Sequence, residues 1–282
     1  MLEALSAEAL KMRTHKATWF LVWLFPIALS IVMLITIGAG ILGFDPPDRP
    51  GIADWIEDTT LIWFIPNNAV GRYLICAFVA VIFAGEYGWN TWKLVVPHRR
   101  RASLIAAKYA LTVLLFAISF LLTALLLTIL NLADDALTGD TAPAGLTAAL
   151  LWDSHSKAAL AAVAPILISI AYASLAAVLT RSTIAALVIA IVATTLEQVV
   201  VGFGPQLYTK FPSIVWPLYH VLPGHHIANI SECIREGAAL KRDFPGGRVV
   251  EFSCTASLGI LLAWTAALWG ATFAAFGRQD IN

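Results

Sequence analysis

The chain predicts an all-α integral membrane protein with six transmembrane helices. An N-terminal interfacial helix precedes them, and short external re-entrant helices lie between the fifth and sixth spans. Only 13% of the 282 residues are charged and 59% are hydrophobic, where a soluble domain carries about 25% charged residues. Mean hydropathy is +0.80. Six apolar runs reach the roughly 20 residues that cross a hydrocarbon layer about 30 Å thick at about 1.5 Å per residue. Lipid tolerates no open sheet edge, so runs of this length close their hydrogen bonds as helices.

The elements follow in order. Residues 2–15 put Leu2, Leu5, Ala9 and Met12 on one helical face, with Glu3, Glu8, Lys11 and Arg13 mostly elsewhere. That pattern suits a helix lying in the membrane interface, over residues 1–17. The spans are placed at 18–42, 66–88, 105–130, 158–180, 183–203 and 254–276. The first apolar run, Trp19 to Leu42, is too long for a leader's apolar core and no A-x-A site follows it, so it reads as a span. Pro26 and Pro165 fall within spans, where a proline kinks a helix. Only Arg181 and Ser182 separate the fourth and fifth spans, which demands a tight turn. The stretch 204–253 carries prolines 205, 212, 217 and 223 among apolar residues and is long for a structureless loop. We expect short helices there. No internal repeat is visible, so 1–282 reads as one transmembrane domain.

Orientation follows the Lys/Arg bias of short loops. With the N-terminus inside, the inner side holds ten basic residues, Lys11, Arg13, Lys16, Lys93, Arg99, Arg100, Arg101, Lys108, Arg181 and Arg278. They face only four acids, Glu3, Glu8, Glu86 and Asp280. The outer loops take the acid-rich runs Asp45 to Asp58 and Asp134 to Asp153. The expectation is a multi-pass protein of the plasma membrane with both termini cytoplasmic. Formal net charge is zero, which gives a nucleic-acid partner no electrostatic footing.

The segment 86–108 holds Glu86 at the end of the second span, then Thr91, the apolar run Leu94 to Val96, Pro97, Arg101 and Lys108 opening the third span. This order resembles the cytoplasmic coupling segment of ABC-2 type transporter permeases, with Asn90 where a glycine is usual. The ending Phe276-Gly-Arg-Gln-Asp280 is similar to that family's C-terminus. The resemblance implies a permease subunit of an ATP-driven exporter, paired with a second permease copy in a homodimer or a similar heterodimer. It implies that Glu86, Thr91, Trp92, Lys93, Pro97, Arg99, Arg100 and Arg101, within 89–104, couple the permease to P-loop ATPase subunits. Independently of the name, a short segment apolar at Trp89, Trp92, Leu94 and Val95 and cationic elsewhere can seat in a partner's groove. The bland alternative is a topogenic loop whose arginines meet anionic lipid. No G-x-x-x-x-G-K-[ST] occurs, so this chain lacks a P-loop. No cofactor is expected on it; ATP and Mg would sit on the partner.

Arg72 and Glu197 are the ionisable residues most clearly inside spans, at similar depth in the outer half, near Asn67, Asn68 and Gln198. A charge at mid-membrane costs about 2.5–3.5 kcal/mol on insertion scales, so such residues face the bundle interior or water. Arg72, Glu197, Gln198 and Asn68 therefore read either as a pathway lining or gate, or as a static clamp. His220, His225, His226, Glu232 and Cys233 cluster outside, in a spacing that matches no standard zinc pattern, so no metal is assigned. Cys233 and Cys254 either pair in an oxidising compartment or stay as separate thiols. Competing functions are an integral membrane enzyme acting on lipid and a non-transporting membrane anchor.

Overall fold

The computed structural model describes residues 2–44, 51–88, 92–93, 96, 100–138 and 142–280. Among these, six helices are long and apolar enough to cross a membrane. The chain opens with α1 (Leu2–Thr14), a π-helical turn (Thr18–Val22) and α2 (Leu24–Ile41). It continues through α3 (Ile52–Phe64), a short 3-10 turn (Ile65–Asn67), α4 (Ala69–Gly88), α5 (Arg101–Thr138), α6 (Ala148–Thr180) and α7 (Thr183–Tyr208). Then come α8 (Pro212–Val221), α9 (Pro223–Glu236), strands β1 (Lys241–Phe244) and β2 (Arg248–Glu251), and α10 (Cys254–Arg278). The candidate spans are α2, α4, α5, α6, α7 and α10. An even number of crossings puts both chain ends on one face, called here the terminal face; the other is the far face.

α4 and α6 form the buried centre, packed on each other and on α7, while α2 and α10 leave most of their apolar surface outward. Alanines line the buried side of α6, among them Ala162, Ala171, Ala173 and Ala177. Small side chains let backbones approach where no hydrophobic drive separates helix from lipid. On the other flank, edge-on aromatic contacts join α2 to α5, Phe25 to Phe120 at 5.0 Å, and α4 to α5, Phe78 to Phe116 at 5.4 Å. Pro165 lies inside α6, and its own carbonyl accepts the Ser169 hydroxyl one turn on at 2.7 Å. The α6–α7 turn places Arg181 at φ 55°, followed by Ser182 as the N-cap of α7.

Three features depart from the sequence expectation. α3 stands where an acidic loop was expected. Its Trp55, Thr59, Ile62 and Trp63 are buried at helical spacing, and the Gly51 amide donates to Asp54 at 2.9 Å at its start. α5 runs 38 residues, about 57 Å at 1.5 Å per residue. It therefore outreaches the bilayer, and its far end accepts Trp55 Nε1 on Asp135 at 3.2 Å. The stretch 204–253 holds short helices, as expected, and also the antiparallel hairpin β1–β2, with Phe244 opposite Arg248. Gly246 and Gly247 both take positive φ, 83° and 73°, which glycine alone adopts without strain. The hairpin is covered on one side: Tyr219, Phe244, Val200, Val215 and Val250 form a small core, and the Arg248 guanidinium lies over Trp216 at 5.1 Å.

A disulfide joins Cys233 near the end of α9 to Cys254 at the start of α10, closing 21 residues that include the hairpin. A loop of that length restrains the unfolded chain by about 3 kcal/mol. Cys254→Ser should therefore lower the melting temperature of the purified protein and open 237–253 to limited proteolysis. Unchanged cleavage would show that the hairpin core holds without the bond.

Candidate functional site

The far-face site begins with how Arg72 is placed. Asn68 caps α4, its Oδ1 accepting from the Gly71 amide at 2.9 Å. Gly71 sits so close to Ile65 that a Cβ there would lie 2.0 Å from the Ile65 carbonyl oxygen. The close approach directs the next side chain, Arg72, into the bundle, where it is 1% exposed. Arg72 Nε donates to Ser169 Oγ of α6 at 3.0 Å and Nη1 donates to Glu197 Oε2 of α7 at 2.6 Å. Glu197, also 1% exposed, accepts the Tyr172 hydroxyl on its other oxygen. One ion pair thus ties α4, α6 and α7. Gln198 Nε2 reaches the Asn67 carbonyl at 3.5 Å. Of the four residues expected here, Arg72 and Glu197 meet, Gln198 stands beside them, and Asn68 uses its side chain as a helix cap. Ser169 and Tyr172 were not singled out from sequence.

The terminal-face site is a second buried ionic cluster. Lys108 of α5 donates from Nζ to Glu86 of α4 at 2.9 Å, to Glu8 of α1 at 2.5 Å and to the Ile82 carbonyl at 3.1 Å. Lys11 of α1 also pairs with Glu86. The two motif residues bounding the segment, Glu86 and Lys108, are therefore in contact. α1 turns inward more than its apolar stripe suggested: Glu8 faces the bundle together with Met12, which is buried.

In the described part of the 89–104 segment, Trp92 packs on its own bundle. It is buried, 4.5 Å from the Phe276 ring of α10 and near Tyr87, with the Lys108 ammonium 5.4 Å from its centroid. Arg101 likewise turns inward: Nη1 donates to the carbonyls of Gly277 at 3.0 Å and Gln279 at 2.6 Å. It thereby satisfies orphan carbonyls at the end of α10. Gln279 is held in turn by Tyr87, whose hydroxyl donates to Oε1 at 2.6 Å, and by the Val178 carbonyl. Lys93 and Arg100 are exposed. Thr91, Pro97 and Arg99 lie outside the described residues.

Among the described residues no group of three or more His, Cys, Asp or Glu side chains could hold a metal ion. The far-face histidines 220, 225 and 226 pack against one another and against Phe252. His226 contacts Ser257 Oγ at 3.0 Å and the His220 carbonyl at 2.9 Å. Burial depresses the His225 pKa to about 4. An unfolded histidine titrates near 6.5, so the folded form binds fewer protons and stability falls as pH drops from about 6.5 toward 4. Melting at pH 5 should fall below that at pH 7.5, by up to about 2 kcal/mol from this group. His225→Phe should flatten the dependence; an equally steep profile in that variant would place the titration elsewhere.

A bundle with six helices long and apolar enough to cross a membrane, and with buried charge pairs near each face, defines a multi-pass membrane protein. The family model for ABC-2 family transporter proteins matches residues 4–197, more than half of the chain, and the chain belongs to that family. It is a membrane transport subunit. No significant match was found among curated proteins or among solved structures.

Proposed function

We propose that the chain is the permease of an ATP-driven exporter in the plasma membrane, with both termini cytoplasmic. It works with P-loop ATPase subunits that bind ATP and Mg, and with a second permease copy. The observation that carries this reading is the terminal-face cluster. Trp92 is wedged between α4 and α10, Arg101 holds the end of α10, and Glu86–Lys108 binds α4 to α5. A partner pressing on the exposed Lys93 and Arg100 would move three spans together rather than bend a loop. At the far face, Arg72–Glu197 closes the pathway between α4, α6 and α7.

Reversing the exposed charges, Lys93→Glu with Arg100→Glu, should reduce co-purification with the ATPase by about tenfold, since rim charges act on association more than on the fold. Melting should stay within about 1 kcal/mol of the parent, as for other surface changes. Parental co-purification would remove the coupling assignment. Orientation is checked separately with a cysteine at position 100 or 240. The first should react with an impermeant maleimide only from the cytoplasm and the second only from outside; the opposite pattern would invert the arrangement.

A further inference from the structure

We propose that a pocket of about 220 Å³ beside the Arg72–Glu197 pair binds a neutral oxygen acceptor, an amide or ester carbonyl or a hydroxyl. The proposal rests on that pair lining the outward half of the pathway, and it specifies the chemistry held there. The wall combines Arg72, Asn67 and Gln198 with Ser231 of α9, over an apolar side made by Val201 and Ile227. Two of the three guanidinium nitrogens are committed, Nε to Ser169 and Nη1 to Glu197. Nη2 is buried and has no acceptor among the described residues. A buried donor without a partner carries its desolvation penalty uncompensated, so an oxygen placed against it is favoured. Charge decides which oxygen. Glu197 already balances Arg72, and a second carboxylate would enter beside it and repel it. A carbonyl or hydroxyl accepts the same hydrogen bond with no added charge. The wall amides and hydroxyl add donors and acceptors that suit such a group.

The volume is below the roughly 300–1,000 Å³ of a complete small-molecule site, so the pocket takes one polar group of a larger molecule. Its walls also come from different parts: Arg72 and Gln198 belong to α4 and α7, Ser231 to the external α9. Gly224 at the start of α9 fits against α7 so tightly that a Cβ would lie 2.8 Å from Val201 Cγ2. An occupant therefore bridges the spans and the external element.

The test follows modification of Ser231→Cys by methyl methanethiosulfonate, in purified full-length protein carrying Cys76→Ala, with and without N-acetylalaninamide. The neutral amide should slow modification about threefold, the protection given by a ligand at roughly twice its Kd. Sodium acetate at equal concentration should not slow it. Gln198→Leu, which spares the ion pair, and Arg72→Lys, which keeps the charge but removes Nη2, should each abolish the protection. A lipid source is read from nanodiscs without added amide. Slower modification in ester than in ether phospholipid identifies a lipid carbonyl as occupant and supports the site; equal rates leave the amide of a soluble ligand as the occupant. Equal protection by acetate, protection that survives both variants, or a cysteine at 231 that never reacts would overturn the proposal. Failure of the gate reading is distinct: it appears as unchanged outside reactivity of a cysteine at 231 in Glu197→Gln while amide protection persists in the parent.

Discussion

Replacing Lys108 by Leu is expected to cost about 3–5 kcal/mol, the range seen when one partner of a buried ion pair is removed. The residue is 2% exposed, and its ammonium neutralises Glu86 and Glu8 together. Without it, Glu86 and Glu8 lose the ammonium set between them, and the Ile82 carbonyl loses its donor. Against a total stability of about 5–15 kcal/mol, the loss should appear as poor recovery of monodisperse protein and a large fall in melting temperature. The sharper measurement is the double variant Lys108→Leu with Glu86→Leu. It removes one of the two carboxylates along with the lysine and should melt above the single Lys108→Leu variant, because Glu8 alone then remains, with Lys11 of its own helix to balance it. If Lys108→Leu melts like the parent, the cluster is not what fixes α1 and α5 to α4.

The membrane made part of this molecule legible. Lipid forces long apolar runs into helices and makes every buried charge expensive, so spans and candidate charges stood out in the sequence and depth alone made Arg72 and Glu197 neighbours. Ser169 and Tyr172 escaped because a hydroxyl inside a span costs little, and which helix face it occupies depends on rotation about the axis. Trp92 shows a different limit. An amphipathic segment has an apolar side, but its pattern does not say whether that side covers its own bundle or a partner; here it covers α4 and α10. α3 was hidden by Asp54, Glu57 and Asp58, although Trp55, Thr59, Ile62 and Trp63 keep a helical period beneath them. The hairpin did announce itself, in Pro245-Gly246-Gly247 between two short runs, but the surrounding prolines and apolar residues weighed toward helices.

The charge swap Arg72→Glu with Glu197→Arg tests the far-face pair most directly. Each single variant places two like charges at contact inside a site where both residues are 1% exposed. Either should therefore destabilise by at least the 3–5 kcal/mol expected for a broken buried pair. The exchanged pair should recover more than half of that. The neighbours permit it: Ser169 and Tyr172 contact the pair through hydroxyls, which donate or accept according to what they face. A glutamate at 72 would receive a proton donor from Ser169, and an arginine at 197 would find an acceptor in Tyr172. Recovery would be incomplete, because the two side chains differ in length and the fork of Arg72 fits its present partners. Melting temperatures of the parent, both singles and the double give the interaction energy from one cycle, and additive losses would show that the two charges do not couple. Glu197→Gln separates closure from assembly. It keeps an acceptor for Arg72 and Tyr172 but leaves the guanidinium charge uncompensated. We expect it to retain ATPase co-purification while a cysteine at 231 becomes more reactive from outside. Unchanged reactivity, with the cycle still showing coupling, would make the pair a static clamp between α4 and α7 and not a gate.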